Sequence, residues 1–99
     1  MYVTVFTFRA SPGKEEAVVD LFEAWERDRM PAAKGFVASE LLRDAGDPSS
    51  FISIARFESE AALRALAATP EQDAWYRDLV SLTLREPVFT DCEVEWSTR

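Results

Sequence analysis

Apolar and polar positions follow two periods along the chain, and each period is typical of one kind of secondary structure. Four segments are rich in β-branched and aromatic residues or alternate apolar with polar positions, which favours extended strands. These strands are predicted over residues 2–10, 36–43, 51–57 and 88–96. The third is apolar at every position except Ser53 and Arg56, so both of its faces need cover. Turn-forming residues fill positions 44–50 and predict a hairpin between the second and third strands.

Helical spacing replaces alternation in two places. Apolar residues recur every three or four positions after Ser11, a predicted N-cap, and this first helix is expected to end near Met30, before a proline. A second helical region follows the third strand, with Ser59 as its N-cap. Thr69, followed by a proline, restarts that helix, and Gln72 three positions later completes a variant of the capping box.

The element order β-α-β-β-α(α)-β predicts one α+β domain over residues 1–99. Right-handed crossovers favour a ferredoxin-like, four-stranded antiparallel sheet with both helical regions on one face. The other face is then left bare, and Val5, Ile52 and Ile54 are predicted to lie on it. Since that is more apolar surface than a monomer usually exposes, we expect a homodimer in which two sheets pack face to face.

The charge and the composition exclude some classes of binding partner and indicate a cellular compartment. The formal net charge of −7 argues against nucleic acid and anionic membranes, because both need clustered Lys and Arg. Cys92 is the single cysteine, which excludes a disulfide framework and fits a reducing compartment. The first strand is too short and too alternating for a signal peptide, and no apolar run reaches membrane-spanning length. We therefore expect a cytoplasmic protein.

Several short motifs, in their order and spacing, carry a family resemblance over nearly the whole chain. They are Ser11-Pro12-Gly13-Lys14-Glu15-Glu16, Gly35-Phe36, Asp47-Pro48, Phe57-Glu58-Ser59-Glu60-Ala61-Ala62-Leu63 and Thr69-Pro70. Together they resemble the antibiotic biosynthesis monooxygenase-like family of the dimeric α+β barrel superfamily. The resemblance implies a homodimeric barrel with a ligand pocket between sheet and helices. Some members are cofactor-free oxygenases of polycyclic aromatic phenols, others degrade haem, and many have no known reaction.

The absence of histidine helps to decide which of these family activities the chain can have. Haem-degrading members use a helical His, an Asn on the first strand and a Trp on the third. Here the Asn and Trp positions hold Phe6 and Phe57, and the His position falls near Tyr76, so haem degradation is disfavoured. With no His and one Cys, zinc sites and His-activated nucleophiles are excluded as well. We expect neither a metal nor a cofactor.

What remains is a pocket lined by aromatic side chains, suited to a small flat aromatic ligand. The predicted substrate-binding residues are Phe6, Phe22, Trp25, Phe57 and Trp75. Arg56 and Tyr76 are the predicted catalytic residues, Arg56 stabilising a phenolate and Tyr76 positioning its oxygen as a proton donor. The favoured hypothesis is a cofactor-independent monooxygenase acting on a small phenolic, quinone-forming substrate.

Two alternatives stay open at this point. In one, the protein is a non-catalytic or regulatory dimer, the aromatic residues only fill the core, and Arg9 and Arg56 pair with Asp91 or Glu93 across the dimer. In the other, it is a stress-linked module that handles reactive quinones or aldehydes. Residue types alone do not distinguish these from the oxygenase.

Overall fold

The computed structural model describes residues 1–98 and has the predicted element order. The strands are β1 (Tyr2–Arg9), β2 (Phe36–Asp44), β3 (Asp47–Phe57) and β4 (Val88–Glu93). The helices are α1 (Glu15–Asp28), α2 (Glu60–Ala67) and α3 (Pro70–Val80), with a short 3-10 helix at Met30–Ala32. No helix within residues 1–98 combines the length and the hydropathy needed to cross a bilayer.

The four strands form one antiparallel sheet in the order β2-β3-β1-β4. This order confirms the predicted ferredoxin-like α+β fold. The central strand β1 aligns Phe6 with Ser53 of β3 on one side and with Phe89 of β4 on the other. The register therefore fixes which side chains share a face of the sheet.

The helices cover one face of the sheet. Phe6, Phe8 and Phe51 point to that face and form the core with Val18 of α1 and Leu79 of α3. The alternate positions lie on the other face, where Val5 aligns with Ile54, and Ile52 keeps 38% of its surface exposed. The predicted facing of the three apolar residues on the uncovered side is thus confirmed.

Helix starts follow local hydrogen bonding. Ser59 caps α2 by accepting from Ala62 N–H, and Thr69 caps α3 by accepting from Gln72 N–H, both as predicted. The prediction for Ser11 was wrong. Its carbonyl accepts from Lys14 N–H in a turn that passes through Gly13 at φ +81°, so α1 begins only at Glu15, with no side-chain cap.

Two strand ends also differ from the prediction. β3 starts at Asp47, four residues earlier than expected, because the hairpin turn consists only of Ala45 and Gly46. The Asp44 carboxylate accepts from Gly46 N–H at 2.8 Å and closes that turn. β4 ends at Glu93, three residues earlier than expected.

Candidate functional site

A cavity of about 1100 Å³ opens to solvent between the covered face of the sheet and the three helices. All four strands and α1, α2 and α3 contribute to its lining. The side of the sheet that faces the helices forms its floor, and α1 and α3 form its roof. A cavity of this size is ample for a tricyclic aromatic molecule.

Aromatic side chains form most of the walls. The structure brings Tyr76 and all five predicted substrate-binding residues to the cavity: Phe6, Phe22, Trp25, Phe57 and Trp75. The rings contact one another in two groups. Phe22 lies 6.3 Å from Phe6 and 5.0 Å from Trp75, while Phe36 lies 4.9 Å from Trp25 and 5.6 Å from Phe57. The sheet and the helices thus present aromatic surface to the same space.

Arg56, the other predicted catalytic residue, is not brought to this cavity. It aligns with Val3 of β1 and Ala38 of β2, on the uncovered face, while its neighbours Ala55 and Phe57 line the cavity. The alternation of side chains along β3 is the physical reason. Arg9 also lies outside the cavity and forms an ion pair with Asp47 at the hairpin.

Within residues 1–98, the basic residues that line the cavity are Arg43 and Arg64. An Arg64 guanidinium nitrogen lies 3.0 Å from an Asp91 carboxylate oxygen, and the hydrogen bond to Asp91 raises the pKa of Arg64. The Thr4 hydroxyl donates to the other Asp91 oxygen at 2.7 Å. Both oxygens of Asp91 are therefore engaged, and this carboxylate is poorly placed to act as a general base.

Arg43 lies on β2, where it aligns with Phe51. Its guanidinium carbon is 4.9 Å from the centroid of the Phe51 ring, a cation–π contact, and one nitrogen lies 3.4 Å from a Glu16 carboxylate oxygen. The ion pair is exposed to solvent, so it holds the Arg43 side chain only weakly.

Two hydroxyl groups at the cavity that are buried or partly buried have no hydrogen-bond partner among the described residues. Ser53 is only 2% exposed and lies on the floor beside Phe6. Tyr76 is partly buried against Phe89, and desolvation, with a smaller contribution from Glu86, raises its pKa. Tyr76 therefore stays protonated at neutral pH, and both hydroxyls are available to a bound molecule.

The roof of the cavity is held by two indole hydrogen bonds between α1 and α3. Trp25 Nε1 donates to Gln72 Oε1 at 2.8 Å, and Trp75 Nε1 donates to the Leu21 carbonyl at 3.1 Å. The Gln72 side chain thus does not fold back to complete the predicted capping box. Its amide bridges the two helices at the cavity wall instead.

Sequence reasoning missed Ser53, Gln72 and Arg64 as lining residues. Ser53 carried a readable signal, since it is a polar residue on the same face of β3 as Phe51 and Phe57. Gln72 and Arg64 carried no such signal, because their spacing matches ordinary helix positions.

Among residues 1–98, no three or more His, Cys, Asp or Glu side chains are grouped as a metal site would require.

The fold is similar to several solved structures. One is the monooxygenase ActVA-Orf6 of Streptomyces coelicolor in complex with nanaomycin D: 22% identity, TM-score 0.86, covering 99% of this chain and 90% of that chain. Another is SnoaB, a cofactor-independent oxygenase from Streptomyces nogalater: 21% identity, TM-score 0.79, covering 98% and 95%. A Mycobacterium tuberculosis protein matches with 17% identity and TM-score 0.84, covering 99% and 98%. Identities of this size show a shared fold.

Sequence comparison gives the family. A search of the curated proteins finds no match to this chain. The family model described as antibiotic biosynthesis monooxygenase, however, matches residues 1–78, well over half of the chain. This agrees with the motifs of the sequence, the strand order and the cavity between sheet and helices. The chain therefore belongs to the antibiotic biosynthesis monooxygenase family.

Proposed function

We propose that this protein binds a flat phenolic compound in the cavity and catalyses its oxidation by O₂ to a quinone, without a cofactor. The observation that carries the proposal is the aromatic-walled cavity, in which the protonated Tyr76 and the buried Ser53 hydroxyl have no protein partner. Family membership supports it. So does the fold shared with SnoaB, a cofactor-independent oxygenase, and with ActVA-Orf6, bound to nanaomycin D.

The reaction balances when the substrate supplies the electrons. For an anthrone, a proton leaves to solvent and the resulting anion transfers an electron to O₂. Recombination forms a carbon–oxygen bond, a proton returns from solvent to give the hydroperoxide, and the hydroperoxide then loses water. The CH₂ group becomes a carbonyl, one oxygen atom enters the product and the other leaves as water. The protein has to hold the anion, orient it and keep water away from the radical pair.

The lining residues fit these tasks. The rings of Phe22, Trp25 and Trp75 stack on and desolvate the substrate. Tyr76 donates a hydrogen bond to the oxygen on which negative charge develops. We assign the electrostatic role predicted for Arg56 to Arg64, whose guanidinium borders the cavity while paired with Asp91 and Glu60.

Oxygen uptake tests the proposal. Purified protein is incubated with a panel of anthrones and hydroquinones, and O₂ consumption and quinone absorbance are followed. For an active substrate, Tyr76→Phe is expected to lower kcat by about 100-fold, the usual effect of removing one donor to a developing oxyanion. Ser11→Ala is the control, since it also removes a hydroxyl group but Ser11 does not line the cavity. Uptake no faster than the protein-free rate across the panel would refute the oxygenase.

One observation favours a second candidate, a binding protein without catalysis. Asp91, the carboxylate on the cavity floor, is engaged by Thr4 and Arg64, so the floor offers no free base. In that case aromatic ligands raise the melting temperature of the protein, but no O₂ is consumed. The thermal shift and the uptake assay together distinguish the two functions.

We also propose that the protein assembles as a homodimer through the uncovered face of the sheet. This face carries Val5, Ile52 and Ile54 side by side on the two central strands. The helices cover the other face, so a second sheet is the cover that the exposed residues lack. Substitution of Ile52 on this face tests the assembly.

A further inference from the structure

Gln72 stands out because its amide is held in one orientation. Indole nitrogen can only donate, so the Gln72 atom 2.8 Å from Trp25 Nε1 must be the amide oxygen. The amide nitrogen is then turned away from Trp25. It has no hydrogen-bond partner among residues 1–98, while the residue lines the cavity.

The backbone at Gln72 is also fixed. Its N–H donates to the Thr69 hydroxyl at 3.2 Å, which places Gln72 in the first turn of α3. With backbone and side chain both held, the NH₂ group is presented before any ligand arrives. A donor oriented in advance loses little conformational freedom on binding and therefore discriminates well between ligands.

The charges around Gln72 limit what it can recognise. Glu23 and Glu26 of α1 and Asp73 of α3 also line the cavity, and among residues 1–98 only Asp73 of these three forms an ion pair, with Arg77 at 2.8 Å. An acidic rim disfavours an anionic group here, whereas an NH₂ donor requires an acceptor. A neutral carbonyl oxygen on an aromatic ring satisfies both conditions.

We propose that Gln72 is a specificity-determining residue that donates to the carbonyl oxygen of a neutral aromatic ketone or quinone. Trp25 acts through Gln72 and is a positioning residue. This inference rests on the proposed use of the cavity. In this arrangement the neutral carbonyl of the ligand faces Gln72, and Tyr76 and Ser53 bind the oxygen that ionises.

A matched pair of probes isolates the hydrogen bond. 9-Fluorenone and fluorene share one planar tricyclic skeleton, and only fluorenone has a carbonyl acceptor. Dissociation constants are measured by quenching of tryptophan fluorescence, with calorimetry for Trp25 variants. The wild type should bind fluorenone more tightly than fluorene. Gln72→Leu should reduce that preference by about 3- to 10-fold, the usual effect of one neutral hydrogen bond.

Three further variants distinguish the loss of the amide donor from a general loss of stability. Gln72→Glu keeps an acceptor for Trp25 but replaces the NH₂ with a carboxylate oxygen, so it should lower the fluorenone preference at least as far. Trp25→Phe keeps a ring and releases the amide, and the preference should fall in part. Glu71→Gln, at an exposed position of α3 outside the cavity, should keep the wild-type ratio. Because the readout is a ratio, a general loss of stability does not change it.

The possible outcomes are distinct. An unchanged ratio in Gln72→Leu, or a wild type that shows no saturable binding of fluorenone, overturns the assignment of Gln72. A Gln72-dependent ratio without O₂ uptake on any phenol supports the assignment and refutes the oxygenase. Tyr76-dependent O₂ uptake, together with a fluorenone preference that does not change in Gln72→Leu, supports the oxygenase and overturns the assignment of Gln72.

Discussion

Gly35 occupies a position where both its backbone angle and its surroundings require the absence of a side chain. Its φ is +78°, and a Cβ there would lie 2.6 Å from the Cβ of Ala62 in α2. Its carbonyl also accepts from Glu58 N–H at 2.8 Å, which joins the start of β2 to the end of β3. We expect Gly35→Ala to destabilise the protein by about 1–3 kcal/mol from backbone strain alone, and by more from the clash. Urea unfolding measures the change.

Gly13 provides the control for that measurement. Its φ of +81° is nearly the same, but a Cβ there would meet nothing within 4 Å. Gly13→Ala thus reports the strain without the clash. Equal losses of unfolding free energy in the two variants would show that α2 is not packed tightly against Gly35.

Residue type and residue placement differed in how far they could be predicted. The aromatic residues, such as Phe22 and Trp75, could be assigned to the cavity because large apolar side chains belong between sheet and helices. The placement of Arg56 at the cavity was wrong for a reason visible in the sequence: strand alternation puts Arg56 on the same face as Ile52 and Ile54, which were predicted to lie on the uncovered side. Gln72 was assigned to a cap, since its hydrogen bond to Trp25 joins residues 47 positions apart.

At the scale of elements, helix capping provides a sharp comparison between two serines. Ser59 has extended backbone angles and accepts from Ala62 N–H at 3.2 Å. Ser59→Ala should therefore cost about 1 kcal/mol of unfolding free energy, the usual loss for a serine N-cap. Ser11 uses its backbone carbonyl and no side-chain cap bond, so Ser11→Ala should cost far less. Thermal and urea unfolding of the two variants tests this. Similar losses would mean that α1 depends on the Ser11 hydroxyl.

The elements themselves were predictable, whereas some of their ends were not. Periods of two and of about 3.6 residues located the four strands and the α-helical regions, because each element has one face to bury. The start of β3 depended on the Asp44 side chain, which closes a two-residue turn and lets pairing begin at Asp47. Such local competition between side chain and backbone leaves little trace in hydrophobic patterning.

At the scale of the whole molecule, the sheet is covered on one side. Leu42 aligns with Ile52 in the register, and both are about 40% exposed on the uncovered face. Val5 and Ile54 continue this apolar strip toward β1. The cavity lies behind the same strands, so covering this face would also hold the cavity floor rigid. The homodimer and the cytoplasmic location both remain predictions.

Ile52→Lys tests the proposed dimer most directly. In a two-fold interface the substitution occurs twice, and burying one such side chain contributes about 1.5–3 kcal/mol, so the dimer Kd should rise by about 100-fold or more. Leu84→Lys is the control, because Leu84 is 56% exposed but lies outside the sheet strands. Sedimentation velocity at micromolar concentration should then show a dimer for the wild type and for Leu84→Lys, and a monomer for Ile52→Lys. A wild type that sediments as a monomer would contradict the proposal, since the strip that includes Ile52 would then be stable in contact with water.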